Sequence, residues 1–250
     1  MPYNQNQHTV LPVVNALSVD LDGTLLYAEP EIIPVRGKSG FRYLAESAAQ
    51  LLIKISKIMP VVIATGRNAL SVKRLTVQLP NVRFGGFVLE NGFVVKGSLD
   101  CESRLENEWD FIIDLLPDWE RLPGYENCLG LIPPENRNDP INVVRQILGE
   151  TGKAGYVYSE SRKIFIYPGV PNKMSGLHRL RIHPYATLGN DLNDLQMLKN
   201  SSCPVTLSAA CVQIKNIVKE KNGYCSSLSS HAATEDMLAW TYNKLQTDFS

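Results

Sequence analysis

The feature of this 250-residue sequence that most constrains its fold is a repeated unit: a short apolar run ends in polar residues and glycine, and a helical pattern follows. The run from Leu17 ends in Asp22-Gly23-Thr24, and the run from Met59 to Ala64 ends in Thr65-Gly66-Arg67. Apolar runs this short are typical of buried strands that stop at turns. Strands that alternate with helices predict a doubly wound α/β fold with a parallel sheet.

Helical patterns separate these predicted strands. Apolar residues from Phe41 to Ile58 recur every three or four positions, which predicts a helix that faces the core. Asn68 is a suitable N-cap for the next helix. The third apolar run, Phe87 to Leu89, is followed by Glu90-Asn91-Gly92 and then by Phe93-Val94-Val95, so the Asn-Gly pair predicts a hairpin turn.

The pattern changes in the middle third of the chain, which predicts a small α+β module inserted into the larger domain. The predicted elements there are a helix near Glu106 to Leu116, a strand near Cys128 to Ile132, a helix near Pro140 to Leu148, and strands Gly155 to Tyr158 and Ile164 to Tyr167. We therefore expect a core of residues 1–92 and 172–250, with residues 93–171 forming a cap that closes over a substrate.

The alternation of strands and helices resumes after the cap. The predicted elements are a short helix from Asn172, a strand Tyr185 to Leu188, a helix from about Leu192 to Lys199, a strand Pro204 to Leu207, a helix through Val218 that Ser208 could cap, and a closing helix from His231 to Leu245. The first and last thirds of the chain are expected to share one sheet.

The charge balance favours a small-molecule partner. The 25 basic and 25 acidic residues cancel, so no global positive field attracts nucleic acid or an anionic membrane. No apolar run approaches the roughly 18 residues that a membrane span needs. The five cysteines are odd in number and form no Cys-x-x-Cys pair, which argues against a zinc site or disulfides and favours a cytoplasmic location. A monomer and a homodimer both remain open.

Two carboxylates stand at the end of the first predicted strand, in Asp20-Leu21-Asp22-Gly23-Thr24. Ligands of open parallel sheets bind outside the carboxyl ends of the strands. Asp20 and Asp22 can both face such a site only if the chain turns, which Gly23 permits. The alternative is that the two aspartates only cap or form a turn.

Two further segments offer groups that suit a phosphate. Thr65 and Gly66 end the second strand with a hydroxyl and an unobstructed amide, although such residues are common in ordinary turns. Lys173 falls in the first turn of a predicted helix, where it opposes the helix dipole. It either lies on the surface or neutralises phosphate charge and screens an attacking carboxylate.

The segment Gly189-Asn190-Asp191-Leu192-Asn193-Asp194 follows another predicted strand. Its side chains supply a dense set of hard oxygen ligands, which suits Mg²⁺. The alternative is that Asp191 caps the helix that follows. Arg67, Arg162 and Lys163 are further, unranked candidates for contact with an anionic part of a substrate.

In this order along the chain, the segments resemble the four motifs of the haloacid dehalogenase superfamily, and the inserted module resembles the type IIB (C2B) cap of its sugar-phosphatase branch. The resemblance implies a Mg²⁺-dependent phosphatase acting on a small phosphate monoester, such as a sugar phosphate. It implies that Asp20 attacks phosphorus and that Asp22 protonates the leaving alcohol and then activates water. Phosphate binding would fall to Thr65, Gly66, Lys173 and Asn193.

The resemblance also implies the metal ligands: Asp20, the Asp22 backbone carbonyl and the fourth segment with Asp194. The family usually reads Gly-Asp-x-x-Asn-Asp there, whereas this chain has Asn190 at the first acidic position and Asp191 beside it. Either side chain could ligate the metal. Two other functions stay open: a sugar phosphomutase of the same superfamily, and a non-catalytic sugar-phosphate-binding regulatory protein.

Overall fold

A computed structural model of the chain describes residues 12–37, 40–100 and 108–250. The strands are β1 (Val14–Val19), β2 (Ile33–Gly37), β3 (Gly40–Leu44), β4 (Val61–Ala64), β5 (Phe84–Leu89), β6 (Val94–Lys96), β7 (Glu120–Leu122), β8 (Leu129–Ile132), β9 (Tyr156–Glu160), β10 (Lys163–Tyr167), β11 (Ile182–Leu188), β12 (Cys203–Leu207) and β13 (Tyr224–Ser226). The α-helices are α1 (Glu46–Ile58), α2 (Ala69–Thr76), α3 (Phe111–Leu115), α4 (Pro140–Glu150), α5 (Lys173–Arg179), α6 (Leu195–Asn200), α7 (Val212–Glu220) and α8 (Ser230–Asp248). Single turns of 3₁₀-helix span Glu90–Gly92 and Leu192–Asp194.

The central sheet has the order β13-β12-β11-β1-β4-β5-β6, and its neighbours are parallel except for the antiparallel β5–β6 pair. This confirms the predicted α/β class. The chain builds outward from β1 first through β4 and β5, and later through β11 and β12 on the other side of β1. A crevice for ligands is expected where the strand order reverses in this way.

Helices cover both faces of the central sheet because alternate strand residues point in opposite directions. Leu17 and Ile63 belong to the apolar cluster that contains residues of α1, α2 and α8. Ala16 and Val62 belong to a second cluster with residues of α5 and α6. Each fully buried side chain of this size contributes roughly 1.5–3 kcal/mol, so the two clusters hold the sheet as a rigid platform.

A second, antiparallel sheet has the order β7-β8-β10-β9. Its own apolar cluster includes Trp109 and Ile112 beside Val144 of α4 and Ile166 of β10. The inserted segment thus has a small α+β architecture of its own. The predicted boundaries at residues 92 and 172 stay a prediction as domain limits. No helix in the described ranges is long and apolar enough to cross a bilayer.

The segment Phe41 to Leu44 does not begin a helix, contrary to the prediction. It lies in β3, which pairs with β2 as an antiparallel hairpin in which Ile33 faces Leu44. Ala45 is extended, and α1 begins only at Glu46, whose carboxylate suits the positive end of the helix dipole. The hairpin places its apolar residues Val35 and Leu44 in the main core, so this segment is buried as a strand and not as a helix.

The predicted cap at Ser208 is wrong as well. α7 starts at Val212 after an extended Cys211, and the Ser208 N–H donates to the carbonyl of Ser226 at 2.8 Å. Ser208 therefore joins the loops after β12 and β13. By contrast, the predicted caps Asn68 and Asn172 are confirmed, since their side chains accept from Ser71 N at 2.9 Å and Ser175 N at 3.3 Å. The predicted helix start near Glu106 lies outside the described residues.

Candidate active site

The carboxyl ends of three adjacent strands meet at one edge of the central sheet. Asp20 directly follows β1, Thr65 follows β4, and Gly189 follows β11. The start of α5 brings Lys173 to the same place. The four candidate segments thus converge as expected for parallel strands, whose carboxyl ends share an edge.

Gly92 fixes the position of α5. Its φ of +106° is in the region that favours glycine, and a Cβ there would collide with the backbone carbonyl of Asn172. The N–H of Asn172 donates to the carbonyl of Asn91 at 2.9 Å. The two points at which the chain passes between the central sheet and the inserted segment are therefore in direct contact.

Lys173 bridges two buried carboxylates. Its Nζ lies 2.6 Å from Asp20 Oδ1 and 2.7 Å from Asp194 Oδ1, and all three side chains are at most 8% exposed. Burial raises the pKa of Asp20 to about 7 against the opposing charge of Lys173. Burial would lower the pKa of Lys173, but the two carboxylates together raise it above its ordinary value. The lysine is therefore a permanent cation beside Asp20.

Asp194 organises the loop after β11. Its Oδ2 accepts from the N–H groups of Asn190 at 3.0 Å and Asp191 at 3.1 Å, while its Oδ1 is held by Lys173. Both carboxylate oxygens are thus engaged, and the residue is fully buried. In this arrangement Asp194 orients Lys173 and the loop.

Asn190, rather than Asp191, lies against Asp20. The Thr24 hydroxyl is 3.0 Å from Asn190 Oδ1 and 3.3 Å from Asp20 Oδ2, so these two oxygens converge on one donor. Gly23 has a φ of +76°, and a Cβ there would lie 2.6 Å from the Asn190 amide nitrogen. The turn that Gly23 makes therefore leaves the space that Asn190 occupies.

Asp191 is exposed and caps the turn Leu192–Asp194, with its Oδ1 accepting from Leu192 N at 2.7 Å. Asp191 therefore acts as a cap of the following turn in this structure, as the alternative interpretation of the sequence proposed. Within the described ranges, no three His, Cys, Asp or Glu side chains are grouped closely enough to hold a metal ion. Besides Asp20, a cation here would depend on the amide oxygen of Asn190 and on backbone oxygens.

Asp22 is held by Arg67. The guanidinium Nε and Nη2 each lie 2.6 Å from one Asp22 oxygen, and Nη1 donates to Ser71 at 3.1 Å. Burial would raise the pKa of Asp22, but the hydrogen bonds and charge of Arg67 outweigh it and lower that pKa. From the sequence, Arg67 was only one of three candidates for contact with an anionic part of a substrate. Its place directly after the strand beside β1 is the signal that could have identified this pairing.

Thr65 and Gly66 leave donors available at the strand end. The buried Thr65 hydroxyl oxygen accepts from the Arg67 N–H at 3.2 Å, which leaves its hydrogen for a ligand. No acceptor for the Gly66 N–H occurs among the described residues. Asn193 is half-buried, with its amide 3.5 Å from the Tyr158 hydroxyl on the second sheet.

A cleft of about 800 Å³ opens between the two sheets above these groups. Apolar and aromatic side chains of the inserted segment line its roof: Leu122, Tyr125, Tyr158, Phe165 and Tyr167. The volume is that of a typical small-molecule site. Lys163 also lines the cleft, whereas Arg162 does not and pairs with Glu135 on the surface at 2.9 Å.

Glu90 ties the roof to the core, a role that the sequence did not predict. Its fully buried carboxylate accepts from the N–H groups of Glu126, Asn127 and Cys128 at 2.7–3.0 Å. Burial raises the pKa of Glu90 despite these three donors. A second tie joins the Asn68 amide to the carbonyl of Pro123 at 2.9 Å. The position of Glu90, a charged residue directly after an apolar strand, is the sequence feature that could have indicated this role.

The sequence matches no protein-family model and no curated protein. Solved structures do match the fold. A haloacid dehalogenase-like hydrolase from Bacteroides thetaiotaomicron superposes with a TM-score of 0.69 at 16% identity, covering 93% of this chain and 99% of that one. A trehalose-6-phosphate phosphatase related protein gives 0.58 at 13%, covering 94% and 99%.

The sucrose-phosphatase of Synechocystis sp. PCC6803, crystallised with sucrose and phosphate, gives a TM-score of 0.55 at 14% identity and covers 93% of this chain and 99% of its own. Identities this low show a shared fold. The nearly complete coverage of both chains means that the inserted sheet is part of the likeness. The chain therefore has the fold of the haloacid dehalogenase-like hydrolases.

Proposed function

We propose that the chain is a phosphatase of the haloacid dehalogenase superfamily that hydrolyses a small phosphate monoester through an aspartyl-phosphate intermediate on Asp20. The observation that carries the proposal is the position of the buried Lys173 ammonium, 2.6 Å from Asp20 and at the floor of a cleft. A cation fixed beside a carboxylate lets that carboxylate approach an anionic phosphoryl group.

In the first step, the Thr65 hydroxyl, the Gly66 N–H and Lys173 bind the phosphoryl oxygens. A carboxylate oxygen of Asp20 attacks phosphorus, the bond to the leaving oxygen breaks, and Asp22 donates a proton to that oxygen. Because the pair with Arg67 keeps Asp22 ionised, Asp22 must separate from the guanidinium and take up a proton from solvent before it can give that proton to the leaving oxygen; the second step returns it to the protonated form. Binding of the substrate's anionic phosphoryl group offers Arg67 a competing partner.

In the second step, the Asp22 carboxylate takes a proton from a water molecule that attacks phosphorus. The bond between phosphorus and the Asp20 oxygen breaks, which releases inorganic phosphate and restores both aspartates. Splitting one displacement into two in this way is nucleophilic catalysis. The roof excludes other water from the intermediate.

The oxygen donors present fit Mg²⁺. Asp20 Oδ2 and Asn190 Oδ1 converge on the Thr24 hydroxyl, and hard oxygens of this kind are the ligands that Mg²⁺ takes from proteins. Asp20, Asn190 and the backbone carbonyl of Asp22 would hold the ion. When bound, it would neutralise negative charge on the phosphoryl oxygens. Asp191 stays a candidate ligand, while Asp194 supports the site through Lys173.

A sugar phosphate is the substrate class that we favour. The aromatic roof suits stacking on a sugar ring, and two proteins of similar fold are named for sucrose-phosphatase and trehalose-6-phosphate phosphatase. The cytoplasmic location and the choice between monomer and homodimer stay predictions.

The test is release of inorganic phosphate from p-nitrophenyl phosphate by the purified chain with Mg²⁺. Asp20→Asn is expected to abolish turnover, by at least about 1,000-fold, while Asp118→Asn, an exposed aspartate beside the second sheet, retains it. Transfer of phosphate to a sugar acceptor instead of water would establish the mutase. The neutral side chain of Asn190 favours the other alternative, a non-catalytic sugar-phosphate-binding protein. A folded wild-type chain that binds glucose 6-phosphate without turnover would establish it.

A further inference from the structure

Two cations on the cleft wall differ from those at its floor. Arg42 lies in β3 and Lys163 opens β10; both side chains are half-buried and line the cleft. Lys173 and Arg67 each contact carboxylates within 2.7 Å. Among the described residues, neither Arg42 nor Lys163 forms a salt bridge. Half-buried charges without a partner are uncommon, because they lose hydration without compensation.

The two cations belong to different parts of the molecule but line the same cleft. Arg42 belongs to the hairpin of the core, and Lys163 to the second sheet. Both side chains line the same cleft as Asp22. Strand β3 is also held beside the turn that follows Asp22, because Tyr43 pairs with Tyr27, whose hydroxyl donates to a carbonyl of that turn at 3.0 Å. Asp22 is the group that meets the leaving oxygen in the proposed reaction. Because all three residues line one cleft, Arg42 and Lys163 can contact the leaving group that Asp22 meets.

The two glutamates of the cleft wall leave these cations available. Glu160 is directly opposite Lys163 in the β9–β10 pair, yet its side chain is exposed and makes no salt bridge within the described part of the chain. Glu29 is exposed and hydrogen-bonds to its own backbone and to Ser230; it also interacts electrostatically with Arg42, although the two form no salt bridge among the described residues. Neither glutamate therefore forms a direct ion pair with Arg42 or Lys163, so both cations are available to an anion in the cleft.

We propose that Arg42 and Lys163 form a subsite for a second anionic group, a carboxylate or a second phosphate, carried by the leaving group of the substrate. The inference rests on the proposed phosphatase function and narrows its substrate class to phosphate esters of anionic alcohols. Because Arg42 lies in the β2–β3 hairpin and Lys163 in the second sheet, such a substrate would contact both the core and the roof.

The experiment compares matched substrates. The pairs are 3-phosphoglycerate with glycerol 3-phosphate, and fructose 1,6-bisphosphate with fructose 6-phosphate, with p-nitrophenyl phosphate as the reference. The wild-type chain should favour the more anionic member of at least one pair by about tenfold or more in kcat/KM, the effect of one charge-assisted hydrogen bond. Arg42→Gln and Lys163→Gln should each reduce that preference about tenfold, mainly through KM.

Arg162→Gln is the matched control, because Arg162 is adjacent to Lys163 but lies outside the cleft. It should leave the preference unchanged. Glu160→Gln should instead increase the preference about twofold to fivefold, since it removes a negative charge opposite Lys163 that would repel an anionic leaving group.

Two results would overturn the subsite: equal kcat/KM within both pairs, or equal losses on p-nitrophenyl phosphate and the anionic substrates. The second would assign the cations to the transferred phosphoryl group. Calorimetry with Asp20→Asn separates this outcome from failure of the phosphatase proposal. If no substrate is hydrolysed, tighter binding of 3-phosphoglycerate than of glycerol 3-phosphate still supports the subsite, and equal binding refutes it.

Discussion

The charged groups at the floor of the cleft are paired with one another, whereas those at its wall and roof are not. At the floor, Asp20, Lys173 and Asp194 are buried and joined by contacts of 2.6–2.7 Å. At the wall and roof, Lys163 and Arg42 lack salt bridges within the described residues, and four aromatic rings line the roof. The floor is thus preorganised for one fixed reaction, while the roof and wall are complementary to whatever part of a substrate lies beyond the phosphoryl group.

The largest effect that can break this comparison comes from Lys173→Met at the floor. The change leaves Asp20 and Asp194 buried without their cation, so we expect a loss of about 3–5 kcal/mol in the free energy of unfolding. We also expect a fall of at least about 1,000-fold in kcat/KM. Urea unfolding and p-nitrophenyl phosphate turnover measure the two effects.

The double variant Lys173→Met/Asp194→Asn separates the roles of Lys173. Removing one of the unpaired carboxylates should restore part of the stability but none of the activity. A Lys173→Met protein as stable and active as the wild type would contradict the described floor.

Glu90→Ala tests how firmly the roof is tied to the floor. Three N–H groups lose their acceptor, that of Cys128 buried and the other two partly buried. The loss should lower the free energy of unfolding by about 3 kcal/mol and raise KM more than it lowers kcat. Glu150→Ala, at an exposed position of α4, is the control and should change stability by less than about 0.5 kcal/mol. If KM stays constant while stability falls, Glu90 supports the fold without positioning the roof.

The pH dependence of stability sharpens the description of the floor. Burial raises the pKa of Asp20 from 3.8 to about 7, so its stabilising effect is complete below pH 3.8 and is lost as pH rises through about 7. With divalent cations chelated, Asp20→Asn should therefore be more stable than the wild type by about 1–2 kcal/mol at pH 8. The difference should shrink toward pH 5; thermal unfolding that shows the opposite trend would contradict a raised pKa.

The smallest effect concerns the metal. Asn190→Asp adds a negative charge beside Asp20, so the Mg²⁺ concentration at half-maximal activity should fall roughly threefold to tenfold. Asp191→Asn should leave that concentration unchanged if Asn190 is the ligand. If Asp191→Asn raises it instead, Asp191 ligates the ion and the loop moves when the ion binds.

The sequence predicted the floor better than the roof, for a physical reason. Asp20, Thr65 and Lys173 follow from local patterns, because the carboxyl ends of parallel strands must share an edge. The start of the predicted helix, Phe41 to Leu44, is strand β3. The prediction was wrong there because the spacing of these two residues also fits a helix and the pairing with β2 gives no local signal. The roles of Arg67 and Glu90 depend on contacts with residues 45 and 36 to 38 positions away. Such contacts leave no periodic signal.

The contact between Gly92 and Asn172 has a consequence for how such a molecule can diversify. The chain leaves the central sheet and returns to it at neighbouring points, joined by the hydrogen bond from Asn172 N to Asn91 O. The residues between these two points form one inserted segment whose two ends are in contact. A different module with adjacent termini can therefore be grafted at this junction without altering the strands that carry the proposed catalytic groups, so that substrate choice could evolve separately from chemistry.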